Sequence, residues 1–250
     1  MQQERFRRIE LLIGPEGLSR LHESHVAVIG LGAVGGYTVE ALARAGIGHL
    51  RLVDSDVVHS SNINRQLYAL ESTIGLPKVE VARERVLQIN PACQVEALRV
   101  FVDAETVDEV LAGPPDLVID AIDAVAPKVE LLASLASQGI PAICAMGAAM
   151  RTDPSAIRVG SLADTKHCPL AKQVRKRLRK RGVDLGITCV YSVEPANPRY
   201  TAESPEAGEV HQLSTKPRAL GSLPTMTGIF GLTCANVALQ MLLGDLFPRM

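Results

Sequence analysis

An apolar run over residues 25–30 (HVAVIG) ends in three glycines within six positions, Gly30-Leu31-Gly32-Ala33-Val34-Gly35. A helical pattern over 37–45 follows at once, with Gly46 placed to end it. A strand that turns through glycines into a helix presents the helix N-terminus to whatever lies beyond the strand end. Gly32 lets the backbone approach a phosphate, whose charge then meets the N-terminal amides. Asp54 closes the next apolar run, 49–54 (HLRLVD), 22 residues after Gly32, where it can accept a hydrogen bond from a ribose hydroxyl. These features point to a bound nucleotide, and a nicotinamide dehydrogenase would share all of them.

Two further runs, 116–122 (DLVIDAI) and 140–146 (IPAICAM), are also nearly continuous in apolar residues, the pattern of strands buried on both faces of a parallel sheet. Amphipathic helices lie between the strands; over 78–89, Val79, Ala82, Val86 and Ile89 share one helical face. Only 3 % of residues are aromatic against 47 % apolar, which suits helices packed on a sheet better than a β-sandwich. The expected fold is therefore a doubly wound, Rossmann-like α/β domain with a mainly parallel sheet. Its first 150 residues form the nucleotide-binding unit. Residues 151–250 form an extension continuing the sheet, with strands near 156–162 and 187–194, a basic helix within 166–181, a mobile loop over 195–215 and a long C-terminal helix. The apolar stretch 223–243 is interrupted by Pro224, Asn236, Gln240 and several threonines, so it reads as a core helix and not a membrane span.

The segment after Asp54 separates the nucleotide classes. Asp54-Ser55-Asp56 is followed by Ser61-Asn62-Ile63-Asn64-Arg65-Gln66 and then by Lys78 at the head of a helix. A dinucleotide has no need of this cationic set, whereas a triphosphate needs its charge neutralised along its length. Asp123 stands just beyond the strand over 116–122, where open α/β sheets bind ligands, and its carboxylate could hold Mg²⁺ between phosphate oxygens.

These elements, preceded by Arg5-Phe6-Arg7-Arg8 and closed by Asp120-Ala121-Ile122-Asp123, resemble in order the ThiF/MoeB adenylating enzymes, relatives of the ubiquitin-activating enzymes. The resemblance covers about residues 5–150. It implies that Gly30, Gly32, Ala33 and Gly35 wrap the phosphates of ATP and that Asp54 holds the ribose, with Asp56 and Ser61 among the nucleotide-binding positions. Asn62, Arg65, Gln66 and Lys78 would line the triphosphate, with Asp123 at the metal and reaction centre. Arg8 matches an arginine that crosses a homodimer into the partner's nucleotide site. Two positions depart from the pattern: Ala33 replaces a glycine of many relatives, and Ala124 follows Asp123 where ThiF and MoeB usually have asparagine. The second departure tells against those two activities.

The second half of the chain carries the features that bear on the acceptor. From Lys166 to Arg181 there are eight cations (Lys166, Lys172, Arg175, Lys176, Arg177, Arg179, Lys180, Arg181) and no Asp or Glu. With the whole chain at −1, the remainder carries −9. Leu170, Val174 and Leu178 form an apolar stripe beneath these charges. Eight like charges repel one another unless a polyanion screens them, which predicts nucleic-acid contact through phosphates. Lys166-His167-Cys168-Pro169-Leu170, the basic run itself, Cys189 to Glu194 and Gly221 to Pro224 are most similar to the branch of the family that acts on threonylcarbamoyladenosine in tRNA. That likeness implies adenylation of the threonylcarbamoyl carboxylate at position 37, then ring closure that expels AMP. The alternative is activation of a small ubiquitin-like or sulfur-carrier protein.

The five cysteines, at 93, 144, 168, 189 and 234, form no C-x-x-C pair, so no zinc is expected, and Cys189 and Cys234 read as inert core thiols. Lys216-Pro217-Arg218 occupies the region where some relatives carry a sulfur-accepting cysteine, so a sulfur-relay partner is not carried over. Scattered thiols and a charged N-terminus without an apolar core suggest a reducing, cytoplasmic setting.

Overall fold

In the computed structural model, which describes residues 2–203 and 218–248, the chain runs α1 (Gln2–Arg5), α2 (Arg7–Glu23), β1 (His25–Ile29), α3 (Gly35–Ala45), β2 (His49–Val53), α4 (Lys78–Ile89), β3 (Gln94–Leu98), α5 (Val107–Leu111), β4 (Leu117–Asp120) and α6 (Val125–Gln138). It continues through β5 (Ala142–Ala145), β6 (Ile157–Ser161), α7 (Pro169–Lys180), β7 (Thr188–Ser192), β8 (Thr201–Glu203), β9 (Arg218–Leu220) and α8 (Pro224–Leu243).

Seven strands form one sheet in the order β3-β2-β1-β4-β5-β7-β6, and only β6 runs antiparallel to its neighbour. The continuous apolar runs have the physical cause inferred from them. Val26 to Ile29 of β1 are all at most 1 % exposed, because helices cover both faces. Val26, Val28, Leu50 and Leu52 point into one core with α3, α4 and α8; Ala27, Ile29, Val53 and Val118 point into the other with α5, α6 and α7. The chain winds outward from β1 through β2 to β3, then returns to place β4 on the other side of β1. This reversal opens a crevice beyond the carboxyl ends of β1 and β4, where such sheets bind ligands.

The second half is continuous with the first. β7 pairs parallel with β5, in the register Ile143↔Thr188 to Ala145↔Val190, and β6 closes the edge antiparallel to β7. α8 is the one helix among the described residues long and apolar enough to cross a bilayer, yet 56 % of that stretch lies buried in the fold. It packs on α3 at near contact: a Cβ on Gly231 would lie 2.4 Å from the Val34 carbonyl oxygen, and Thr38 Oγ1 donates to the Gly231 carbonyl at 3.1 Å. The start of the loop expected over 195–215 carries a turn and a short strand. The Asn197 side chain caps a short turn at Pro198–Tyr200, and β8 pairs with β9. Residues 204–215 of that loop lie outside the described residues.

Candidate active site

The glycine loop opens the crevice. Gly30 has φ +91°, and a Cβ there would sit 2.9 Å from the Ala121 carbonyl oxygen; one on Gly35 would sit 1.8 Å from the Gly30 carbonyl oxygen. Both positions therefore exclude any side chain. Gly32 differs, because the nearest atom to its hypothetical Cβ is Gln66 Nε2 at 3.8 Å. The space above Gly32 is open, as close approach of a phosphate requires. Ala33 lies in the turn between Gly32 and α3.

Asp54, at the end of β2, is largely occupied with shaping this loop. Its Oδ2 accepts from the Leu31 amide at 2.7 Å and its Oδ1 from the Asp56 amide at 2.8 Å. Burial pushes its carboxyl above the usual range, while Lys78 and these two amides pull the other way. Lys78 opens α4 at 5 % exposure, and its Nζ lies 3.0 Å from Asp56 Oδ2. Its amide also donates to the Asp56 carbonyl at 3.0 Å, which explains why α4 begins at that residue.

Between them, Ser61 to Gln66 form a tight turn. Asn62 is 5 % exposed, and its Oδ1 accepts from the His59 amide at 3.1 Å. Arg65 Nη1 donates to the Ser61 carbonyl at 2.9 Å and to Asn64 Oδ1 at 3.1 Å. On the other side of the crevice, the Ala121 amide donates to the Ile29 carbonyl at 2.8 Å, locking the segment after β4 against β1. Asp123 is exposed there and has no protein partner among the described residues. The structure thus brings the glycine loop, Asp54, the 61–66 turn, Lys78 and Asp123 to one end of the sheet. Arg8 is exposed on α2 and joins none of these contacts within one protomer.

On α7, Leu170, Val174 and Leu178 are buried as expected, but the eight cations are not equivalent. Arg175 Nη1 donates to the Thr165 carbonyl at 2.8 Å and to Thr165 Oγ1, fastening the segment that leads into α7. Arg181 Nη2 pairs with Glu130 Oε2 of α6 at 2.7 Å. Lys166, Lys172, Lys176, Arg177, Arg179 and Lys180 are exposed without such partners among the described residues. Arg175 and Arg181 thus each reach an acceptor within the fold that the other cations of the run do not.

Arg151 and Lys128 are among the buried cations that the sequence did not single out. Arg151 is 2 % exposed and donates to the carbonyls of Gly147, Ala149, His167 and Glu194, binding the end of β5 to the approach to α7 and the end of β7. Lys128 is wholly buried and lies 2.8 Å from the equally buried Asp120. A signal for Lys128 was available: it falls on the same helical face as Val125, Val129, Leu132 and Leu135, where a charge calls for a partner.

All five cysteines are buried thiols, and burial pushes Cys93 and Cys234 each up to about 12. The group of potential metal ligands among the described residues is His25, His49 and Glu96, at the opposite end of the strands. The two imidazoles stack at 3.8 Å with planes 7° apart, so no ion can lie in both ring planes.

A family model described as the ThiF family matches residues 6–249. The chain is 45 % identical over 189 residues to the tRNA threonylcarbamoyladenosine dehydratase of Bacillus subtilis (strain 168), covering 76 % of this chain and 74 % of that protein. It is 36 % identical over 251 residues to the dehydratase of the same name from Escherichia coli (strain K12), covering 96 % and 94 %. The crystal structure of the E. coli tRNA N6-threonylcarbamoyladenosine dehydratase TcdA in complex with ATP superposes with a TM-score of 0.86 at 34 % identity, covering 97 % of this chain and 95 % of that one.

Proposed function

The chain belongs to the ThiF family, and on that premise we propose that it is an ATP-dependent tRNA threonylcarbamoyladenosine dehydratase. The observation that carries the reading is the end-to-end likeness to an ATP-bound enzyme of that activity, joined to a crevice that holds the expected groups.

In this reading the phosphates of ATP lie over Gly32 and meet the N-terminus of α3. Lys78 turns from Asp56 to the more highly charged phosphates, and Arg65 neutralises the same chain from the 61–66 turn. Asp54 holds the ribose while its bonds to Leu31 and Asp56 fix the loop. Mg²⁺ fits the donor set, since Asp123 is an exposed hard oxygen ligand beyond the end of β4 while both oxygens of Asp54 are held by the Leu31 and Asp56 amides. Bound there, the ion would supply charge neutralisation on the phosphates.

The threonylcarbamoyl carboxylate, with a pKa near ~4, is ionised at neutral pH and needs no base. One of its oxygens attacks the α-phosphorus, and the bond to the bridging oxygen breaks to release pyrophosphate. The carbamoyl unit then attacks the activated carbonyl and loses a proton, closing a five-membered ring as AMP departs. The nucleoside loses one water in total. Ring closure within one molecule has an effective molarity that can reach ~10⁵ M or more, so no enzyme thioester is required and the buried cysteines stay outside the chemistry.

The same proposal assigns the tRNA backbone to the exposed cations of α7, the nucleotide to residues 1–150 and the α7 face to 151–250. It includes a homodimer in which Arg8 reaches the partner's site, a cytoplasmic setting and no zinc. The test is Lys78→Ala or Asp123→Ala, expected to abolish tRNA-dependent AMP release while leaving tRNA affinity within about twofold. Loss of tRNA binding in step with turnover would contradict this division of labour.

A further inference from the structure

We propose that Lys128, through its buried pair with Asp120, is a positioning residue that sets the turn carrying Asp123; the inference rests on the adenylation reading above. Asp120 ends β4, and Lys128 lies in the first turn of α6, so the two side chains bridge the segment 121–124 from beneath.

Each oxygen of Asp120 is engaged. Oδ1 accepts from the Ile122 amide at 3.0 Å and turns the chain out of the strand. Oδ2 receives Lys128 Nζ at 2.8 Å and the Cys144 thiol at 3.2 Å. Lys128 Nζ lies a further 3.5 Å from Cys144 Sγ. Burial alone would lower Lys128, but Asp120 and Cys144 hold it charged, above the ordinary lysine range.

Stability alone gives little reason to keep such a pair. Two desolvated charges are costly, and well-packed apolar residues of similar volume often serve a core as well or better. What the pair adds is direction. The Ile122 amide has a fixed acceptor, and the position of that acceptor is fixed by an ammonium on the helix Asp123 leads into. The turn also has no slack on its other side, because the Ala121 carbonyl abuts Gly30 and its amide is bonded to Ile29. A displacement of the turn would move Asp123 and press on the phosphate loop together. Misplacement by about 1 Å is enough to cost ~10²-fold in a positioned reaction.

The test uses the full chain with Lys128→Met, Lys128→Arg and the neutral double variant Asp120→Asn/Lys128→Met. The double variant leaves no unpaired buried charge and is the one expected to fold if the single change does not. Three quantities are read: binding of a fluorescent trinitrophenyl-ATP as free Mg²⁺ is varied, kcat and KM for AMP release, and amide hydrogen exchange over 120–124. In Lys128→Met and in the double variant, the Mg²⁺ needed for half its effect on nucleotide binding should rise about tenfold or more. kcat should fall ~10–100-fold with the KM for tRNA unchanged, and the Ile122 amide should exchange faster. Lys128→Arg should recover part of each.

A double variant that melts at a different temperature but keeps the wild-type Mg²⁺ dependence, kcat and exchange would overturn the inference and leave Lys128 as a core residue. Asp123→Ala is the control for the underlying reading. If it too retains the wild-type Mg²⁺ dependence and turnover, the assignment of Asp123 fails and the positioning role falls with it. If Asp123→Ala is inactive while the Lys128 variants behave as wild type, only the positioning role fails.

Discussion

Replacing Lys172, Lys176 and Arg179 together with alanine is expected to weaken tRNA binding and stabilise the fold. All three are exposed on α7 without protein partners among the described residues. Each phosphate contact contributes about 0.7–0.9 to the log–log dependence of affinity on salt, so losing three should flatten the slope by about 2–3 units. At about 0.1 M salt this is a loss of ~10²–10³-fold in affinity. The same change removes the like-charge pairs Lys172–Lys176, Lys176–Lys180 and Arg175–Arg179 at i, i+4, each costing about 0.2–0.5 kcal/mol, so the melting temperature should hold or rise. Arg175→Ala is the contrast. Its guanidinium is spent on Thr165, and its loss should cost about 1.5–3 kcal/mol of stability and leave the salt slope unchanged. Fluorescence anisotropy of labelled tRNA across about 50–200 mM salt, with thermal melts of each variant, reads both quantities. An unchanged slope in the triple variant, or an equal fall in Arg175→Ala, would refute the distinction between free and engaged cations.

The glycines separate shape from chemistry: Gly32→Ala should fold normally and lose ATP affinity, whereas Gly35→Ala, whose Cβ would lie 1.8 Å from the Gly30 carbonyl oxygen, should not fold stably. Nucleotide titration and melts of the two variants check this, and normal ATP binding by Gly32→Ala would place the phosphates elsewhere. If Arg8 acts across a two-fold dimer, mixing inactive Arg8→Ala and Lys78→Ala protomers should restore about a quarter of wild-type turnover, because half the dimers then hold one complete site. No recovery after verified subunit exchange would remove Arg8 from the partner's site. His25 predicts the acid response. Burial first, then the stacked His49 and nearby Arg51, lower its pKa against the opposing pull of Glu96 and Asp116. The folded protein therefore binds this proton less readily than the unfolded chain. Its contribution is full above pH ~6.5 and is lost as pH falls through the lowered value, by at most ~1.4 kcal/mol per pH unit. Denaturant titrations from pH 7 to 5 should show a shallower loss for His25→Phe, and an identical loss would exclude His25 as a source.

Much of this architecture is legible in the chain because burial on both faces writes itself as unbroken apolar runs. β1, β2, β4, β5 and the helix Lys78–Ile89 all lie where those runs and spacings place them. β3 is harder to read, since Gln94–Leu98 is an edge strand of mixed polarity, and α2 is broken by Gly14 and Pro15. The glycine loop and the Arg65–Lys78 set are local in sequence, so their grouping at one end of the sheet can be read without the fold. The engagement of Arg175, Arg181 and Arg151 depends on acceptors up to 51 residues away, and that of Lys128 on the register of α6, and composition treats those cations like any others. A run of eight charges therefore overstates the surface open to a polyanion.

The most direct test of the central claim is release of AMP from α-labelled ATP with threonylcarbamoylated tRNA, unmodified tRNA or no RNA, and mass analysis of the tRNA nucleosides. AMP is expected only with the threonylcarbamoylated tRNA, together with a nucleoside lighter by one water. ATP that binds but yields no AMP with any tRNA would contradict the claim and direct the search to a protein carboxylate.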